Sequence, residues 1–254
     1  MGGTSPLGHL AKGAHFNAGP SMADMIPIPG FADPFSSLSH LLGAVLFAGL
    51  TVPLVRRGAG NAGRVASLLV FCFGAVFLLS ISGVYHLLDP NGTARLVLRR
   101  LDHAAIFVLI ASSFTPVHVI LFRGWSRWGV LLVIWAIAIT GITLKSIFFD
   151  LVPPYLGLML YLGMGWIGLG TGVALWRRYG FKFMQCILWG GLAYSIGGVL
   201  EILRWPVLIP GVFQSHEIFH VAVLLGLGFH WTFVYQIADG KTPLEPLASH
   251  SEDC

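Results

Sequence analysis

Seven stretches of this sequence contain no Asp, Glu, Lys or Arg, and each is apolar and long enough to cross a bilayer as a helix. The shortest has 17 residues and spans if the charged side chains at its ends reach back to the interface. The stretches are continuously apolar, whereas the strands of a membrane barrel alternate, and a helix satisfies its own backbone in lipid. The sequence therefore predicts an all-α membrane protein, a seven-transmembrane helix bundle. Its spans lie between Asp33 and Arg56, Arg64 and Asp89, Asp102 and Arg123, Arg127 and Lys145, Asp150 and Arg177, Lys182 and Glu201, and Glu217 and Asp239.

The composition agrees with lipid as the solvent of this chain. Only 10% of the residues are charged, against about 25% in soluble domains, so the chain could not cover a soluble core with polar side chains. The formal net charge of +4 is spread over short loops, which favours membrane lipids as partners and argues against a nucleic-acid patch. The three cysteines show no CxxC spacing, and their placement predicts no disulfide framework.

The bundle is expected to occupy residues 34–238 as one domain without an internal repeat. Residues 1–33 lack the features of a signal peptide and are predicted to form a flexible tail, as is the polar segment 239–254. In the fifth span, glycines form small-residue rows of the kind that lets membrane helices approach closely: Gly163, Gly165, Gly168 and Gly170.

Polar residues inside membrane spans are costly in lipid, so their distribution points to a site. With seven alternating spans, the odd-numbered spans begin and the even-numbered spans end on the same side of the membrane, here called the site face. The polar residues that fall towards this face are His40, Ser82, His86, Asp102, His103, Glu201, Arg204, His216, Glu217 and His220. His118 and His230 fall towards the opposite face and are interpreted as structural.

Spacing within the site face is consistent with a metal site. His216 and His220 stand at i and i+4 on one side of a helix, where two imidazoles can chelate one ion. His86, which follows Ser82 by four residues, could complete a three-nitrogen set that suits Zn²⁺ and leaves a fourth position for water. Asp102 could then act as a general base or orient that water, with Ser82 as a further polar partner. Spacing alone leaves open that these histidines cap helix ends and bond to loops or headgroups.

The segment from His216 to His220 also spells HExxH, the metalloprotease signature in which the glutamate is the general base. An intramembrane protease would need a third ligand from a later helix, and the sequence after the seventh span is too short and too polar to supply one. We therefore interpret Glu217 as an interfacial charge that is favourable at the start of a helix.

The remaining polar residues of the site face are expected to play supporting roles. Glu201 and Arg204 stand at i and i+3 and are expected to pair with each other. His40 and His103 are expected to contact lipid headgroups or to lie beside the ligands, and not to bind the metal themselves.

At these residues the sequence resembles the haemolysin-III branch of the progestin and adipoQ receptor (PAQR) family. The combination of Ser-x3-His, an aspartate near the start of the third helix and His-x3-His in the seventh is specific, whereas each part alone is weak. The resemblance covers about residues 37–235, most of the chain. The segments that carry it are Ser39-His40 with Gly43, Ser82-Gly83-Val84-Tyr85-His86, Leu101-Asp102-His103, Ala111-Ser112-Ser113-Phe114-Thr115-Pro116, His216-Glu217-Ile218-Phe219-His220 and His230-Trp231.

The resemblance implies a seven-helix fold with an intramembrane Zn²⁺. Carried over to this sequence, the ligands would be His86, His216 and His220, and Asp102 and Ser82 would sit beside the water at the metal. The family belongs to a wider group that includes membrane ceramidases, and its animal receptors are associated with hydrolysis of lipid amides. A lipid amide is therefore the substrate class that the resemblance suggests.

Two functions stay open on the sequence. One is zinc-dependent hydrolysis of a lipid amide or ester within the bilayer, and the other is a lipid receptor or sensor in which a structural zinc ties helices together. A transporter is disfavoured, because the sequence has no inverted repeat and no charged relay on both faces. The chain is expected to be a multi-pass protein of the cell membrane. Its orientation is left open: six Lys and Arg fall on the site face and nine on the other, whereas animal members of the family place the site in the cytoplasm.

Overall fold

The prediction of a seven-helix membrane bundle is confirmed. A computed structural model of the chain describes residues 25–242, except for the side chain of Pro154. By length and composition, seven helical spans in this part of the chain can cross a membrane. The helices are α1 (Pro34–Arg57), α2 (Ala62–Leu87), α3 (Thr93–Leu121), α4 (Gly124–Ile147), α5 (Pro154–Trp166), α6 (Gly168–Tyr179), α7 (Phe181–Leu203) and α8 (Ser215–Ile237).

The fifth span, Tyr155–Tyr179, consists of two helices, α5 and α6, that meet at Ile167. The backbone of Ile167 stays helical, with φ −56° and ψ −30°. Its amide donates to the carbonyl of Gly163, while the amide of Gly170 donates to the Ile167 carbonyl three residues back. The last bond is of the 3₁₀ type, so the span tightens locally at this point and continues.

The glycines of this span do not provide the close helix packing that the sequence predicts. A Cβ atom added at Gly163, Gly165 or Gly170 would meet no atom within 4 Å, and only Gly168 has a neighbour there, the ring of Phe114. The expectation was wrong for three of the four glycines because these helix faces border open space instead of another helix.

Helix α3 lies at the centre of the bundle. It contacts α2 and α4, its neighbours in the sequence, and also α5 and α8. Helix α8 packs against α7 and against α1, which brings the last span back to the first. Two apolar clusters fill these contacts: one contains the fully buried rings of Phe71 and Phe233, and the other contains Phe107. The result brings the site-face ends of α1, α2, α3, α7 and α8 together.

The segment before α1 also contacts the site face. The amide of Ile26 donates to the carbonyl of Gly211 in the α7–α8 connection, at 2.8 Å, and the amide of Asp33 donates to the carbonyl of His86, at 2.9 Å. The predicted tails, residues 1–33 and 239–254, fall largely outside the described residues and stay predictions.

Candidate metal centre

Three histidines converge where α2 ends and α8 begins. His86 stands in the last turn of α2, and His216 and His220 stand one turn apart at the start of α8. The Nε2 atom of His216 lies 3.2 Å from that of His86 and 3.1 Å from that of His220. His86 and His220 are buried and His216 is partly exposed, and together these side chains could hold a metal ion.

Carboxylates orient two of these three rings. The Nδ1 atom of His86 lies 2.7 Å from Oδ2 of Asp33, and Nδ1 of His216 lies 3.1 Å from Oε1 of Glu201. A neutral imidazole carries one N–H group, so a ring that donates from Nδ1 to a carboxylate has a bare lone pair at Nε2. Carboxylate partners of this kind commonly orient histidine ligands in metal sites.

The surroundings of Asp33 favour the ionised carboxylate, which can accept a hydrogen bond from His86. It occupies the N-cap position of α1, but its side chain makes no capping bond and instead contacts His86 and the guanidinium of Arg95. Burial by itself raises the pKa of this carboxyl, and the hydrogen bonds and charges of His86 and Arg95 more than offset that effect, so the pKa lies below its ordinary value. The side chain is therefore a carboxylate at neutral pH.

The donor geometry fits a small cation such as Zn²⁺. Zinc binds imidazole nitrogens at roughly 2.0–2.1 Å, which in a tetrahedral arrangement separates two donors by about 3.3 Å. The two Nε2 separations of 3.1 and 3.2 Å are close to this value. Bare lone pairs of His86 and His216 that face each other at this distance repel, and a shared cation relieves that repulsion.

Asp102 and Ser82 lie next to the histidines but outside the ligand group. Ser82 is buried one turn before His86 on α2, and its side chain is within reach of the Asp102 carboxyl group near the start of α3. Asp102 and His216 line the same cavity. The structure thus brings together all five residues predicted for the site, and the roles of Asp102 and Ser82 stay predictions.

Glu217 differs from its expected place at the membrane interface. It is 1% exposed, and both of its carboxylate oxygens are engaged. Oε1 accepts from the hydroxyl of Ser36 on α1 at 3.0 Å, and Oε2 accepts from the backbone amide of Gln214 at 2.9 Å in a capping box. These bonds fix the start of α8 against α1 and so position His216. Glu217 is therefore an anchor of the helix start, because its oxygens are turned away from the ligand nitrogens.

His40 lies beside the three clustered histidines and not at the lipid headgroups. The sequence left both placements open. Its ring is 2% exposed and stacks on His220, with centroids 3.9 Å apart and planes inclined by 30°. Neither ring nitrogen has a hydrogen-bond partner among the described residues. Nδ1 of His220 has no hydrogen-bond partner among the described residues, and the closest contact of its ring is the stack on His40.

The other predicted residues have varied surroundings. Glu201 bonds to His216, and no ion pair joins it to Arg204 within the described chain. His103 bonds through Nδ1 to the carbonyl of Arg99 and faces the cavity. On the opposite face, His118 bonds through both nitrogens, to the Ser126 carbonyl and the Thr171 hydroxyl, as a structural residue would. His230 lies against the ring of Tyr194.

A cavity of about 650 Å³ begins beside the histidines and runs between α3, α5, α6, α7 and α8. Asp102, Glu201 and His216 line its end at the site face, and His230 and Thr171 line its far part. Along α3 its wall extends from Arg99 to Val117, a rise of about 27 Å at 1.5 Å per residue. Between these ends most of the lining is apolar. The cavity is thus long enough for a lipid acyl chain, because one such chain extends across about half of the ~30 Å hydrocarbon core of a bilayer.

Sequence reasoning missed some residues of this region. On the sequence, Asp33 only marks the start of the first span. A lone carboxylate at the start of a helix was the signal that could have identified it as part of the site. Lys145 marked the end of the fourth span, but it is buried and lines the cavity. An ionisable residue at the end of a span can point outwards or inwards, and the sequence does not tell which.

Comparison with known proteins agrees with the fold. Residues 31–231 match the family described as Haemolysin-III related. The chain is 30% identical to Hemolysin-3 of Bacillus cereus over 193 residues, which cover 75% of this chain and 84% of that protein. It is 29% identical to Heptahelical transmembrane protein 1 of Arabidopsis thaliana (80% of this chain, 68% of that protein). It is 23% identical to Adiponectin receptor protein of Drosophila melanogaster (87% and 58%).

The family match covers most of the chain and includes all three histidines, the first six spans, most of the seventh and the few residues just before α1. Relatives described as heptahelical transmembrane proteins have the same number of spans. This chain is an integral, multi-pass membrane protein that belongs to the haemolysin-III related family, the haemolysin-III branch of the PAQR proteins.

Proposed function

We propose that this protein is a zinc-dependent hydrolase that cleaves an amide or ester bond of a lipid within the bilayer. The observation that carries the proposal is the position of the three histidines at the end of a long, mostly apolar cavity, with the Asp102 carboxylate beside them. A hydrolase of membrane lipids needs a polar reaction centre that adjoins a space for an acyl chain, and this region has both.

The metal would be held by Nε2 of His86, His216 and His220. Zn²⁺ with three protein ligands keeps one position open, lowers the pKa of water there towards about 7 and polarises a carbonyl. Asp33 and Glu201 keep two of the rings in the tautomer that presents Nε2 as a donor.

Asp102 would serve as the general base and then as the acid. Its carboxyl group lies beside the Ser82 hydroxyl, which would donate a hydrogen bond to it and so fix the direction in which its free oxygen lone pairs point. In this role it takes a proton from the attacking water and later gives it to the leaving nitrogen or oxygen of the lipid. Ser82 is a positioning residue, since its hydroxyl acts through Asp102.

The experiment is a turnover assay with detergent-purified protein that carries its full metal content. A panel of acyl-amide and acyl-ester lipids is offered to wild type and to Asp102→Ala, and release of fatty acid is measured. We expect release by wild type and loss of release in Asp102→Ala, with equal metal content in both. If no lipid of a broad panel is turned over by metal-replete wild type, the hydrolase proposal fails.

A second candidate is a lipid receptor or sensor with a structural metal. Its support is that the three histidines join α2 to α8, so a bound ion would fix how the last span packs against the second. One relative is named Adiponectin receptor protein. This candidate predicts that lipid binding changes the packing of the helices without release of fatty acid, and that Asp102→Ala alters no turnover because there is none.

A further inference from the structure

Lys145 is a buried lysine in the last turn of α4 that forms no ion pair with a carboxylate of residues 25–242. Its residue is 3% exposed, and it lines the site-face end of the cavity. The ammonium turns inwards towards Gly157 on α5, where an added Cβ would lie 2.8 Å from Nζ. A lysine at the end of a span usually extends along the bundle surface to reach the headgroups. Lys145 instead points between helices, and an inward ionisable residue in a membrane protein indicates a functional site.

Other cations gather at the same place. Around the ring of Phe149 lie Nζ of Lys145 at 5.3 Å and the guanidinium carbons of Arg99 and Arg100 at 4.9 and 5.9 Å. Phe149 itself lines the cavity, as do Lys145 and Arg99. Each cation gains from the negative face of the aromatic ring, but the cations repel one another. The arrangement therefore favours an anion between them.

The acidic side chains that line this end of the cavity form no ion pair with Lys145 or Arg99. Asp150 pairs with Arg100 at 3.0 Å, and Glu201 pairs with His216 at 3.1 Å. Neither Lys145 nor Arg99 forms an ion pair with any carboxylate in residues 25–242. These two cations are therefore available to an anion that enters the cavity.

We propose that Lys145 and Arg99 form a subsite for the phosphate of an anionic lipid whose acyl chain lies in the cavity. Arginine and lysine are the residues that bind phosphate, the first through its planar fork and the second as a point charge. Basic pockets between transmembrane helices are known to bind lipid headgroups. The inference rests on the proposed function in one respect, that the bound lipid is its substrate, and it assigns that substrate an anionic group near the scissile bond.

The test is a competition experiment that measures binding without turnover. Full-length protein in mild detergent is offered equal amounts of phosphatidic acid and phosphatidylcholine with the same acyl chains, and bound lipid is identified by native mass spectrometry. We expect wild type to favour phosphatidic acid by about tenfold or more, the ratio that corresponds to about 1.4 kcal/mol. Lys145→Gln should abolish the preference and Lys145→Arg should keep it. Lys182→Gln, at an exposed lysine on the opposite face, is the matched control and should change nothing.

Two further arms make the result decisive. Gly157→Ala keeps every charge but displaces the Lys145 ammonium, so it should weaken the preference even if Lys145→Gln does not fold. Inorganic phosphate at the concentration of the lipid should not displace it, since phosphate alone lacks the apolar contacts. Equal binding of the two lipids by wild type, an unchanged preference in folded Lys145→Gln or in Gly157→Ala, or displacement by phosphate would each overturn the inference.

Metal content and fatty-acid release are measured on the same samples. A selective lipid that is bound but never cleaved would contradict the proposed hydrolase and leave the phosphate subsite in place. Cleavage of lipids without any preference for the anionic one would contradict the subsite and leave the hydrolase in place.

Discussion

His118 and the three clustered histidines, which lie on opposite faces of this membrane protein, satisfy their ring nitrogens in different ways. On the face opposite the site, His118 has a partner at each nitrogen: the Ser126 carbonyl at 2.8 Å and the Thr171 hydroxyl at 3.0 Å. Because a carbonyl can only accept, Nδ1 is the donor and Nε2 accepts from the hydroxyl. One donor and one acceptor complete the ring, and the protein itself supplies both partners.

On the site face the same residue type is left incomplete. His86 and His216 can donate from Nδ1 to carboxylates, and their Nε2 atoms then point at each other and at His220. Among the described residues, the partners of these Nε2 atoms are one another. The comparison teaches that residue type alone does not mark a candidate metal site, whereas ring nitrogens that converge on one another do.

The largest effect is expected at Asp102, because the proposed hydrolysis takes place only on the site face. If Asp102 is the general base, Asp102→Asn should lower fatty-acid release by roughly 10²–10⁴-fold, the usual contribution of a positioned acid–base group. Metal content should stay unchanged because Asp102 is not one of the three ligands. Asp89→Asn, at an exposed carboxylate on the same face, is the control and should keep most of the activity, because asparagine can still accept the hydrogen bond from the Asn91 amide. Loss of metal in Asp102→Asn would make Asp102 a ligand and contradict this assignment.

Removal of the carboxylates that orient the rings should have the next largest effect. Asp33→Asn and Glu201→Gln should each weaken metal affinity by about 10–100-fold, since partners of this kind fix the tautomer and raise ligand basicity. Affinity is measured by competition with a chelator of known strength. Asp239→Asn, which removes a carboxylate paired with Arg57 on the opposite face, should leave affinity unaltered. Equal affinities in all three variants would mean that the carboxylates do not orient the ligands.

His118 offers the inverse test of the comparison. His118→Phe should lower the free energy of unfolding by about 1–3 kcal/mol, because the Ser126 carbonyl and the Thr171 hydroxyl lose their partners. A thermal melt in detergent measures the loss, and metal content of the surviving folded protein should equal that of wild type. A variant that is fully stable but lacks metal would show that the two faces do not differ as described.

The smallest effect is expected at His40, whose ring stacks on His220. Stacked aromatic pairs contribute about 0.5–1.5 kcal/mol beyond burial, so His40→Ala should weaken metal affinity several-fold. His40→Phe keeps an aromatic ring in place and should restore most of that affinity. Failure of phenylalanine to rescue the site would assign the effect to the ring nitrogens of His40 and not to stacking.

The spans could be predicted because lipid imposes one rule on every window: charged residues are excluded and a helix must be long enough. The histidines could be predicted because helix parity and the i, i+4 spacing fix the face and the side of a helix on which His216 and His220 lie. Both arguments use only the order of residues along regular helices.

What could not be predicted depends on helix rotation and on irregular backbone. Asp33 reaches His86 because the segment before α1 folds back onto the site face. The sequence favoured Arg204, one turn away, as the partner of Glu201, and only the packing of α7 against α8 brings His216 to it instead. Lys145 points inwards because Gly157 of the next helix leaves room for its ammonium.

The measurement that tests the central claim most directly is the metal content of the purified protein. Wild type, His86→Ala, His216→Ala, His220→Ala and, as the matched control, His118→Ala are purified in detergent without added metal and analysed by elemental mass spectrometry. The account predicts about one zinc ion per chain in wild type and in His118→Ala, and none in the other three. Well-folded wild type without stoichiometric metal, or zinc retained in all three site variants, would contradict it.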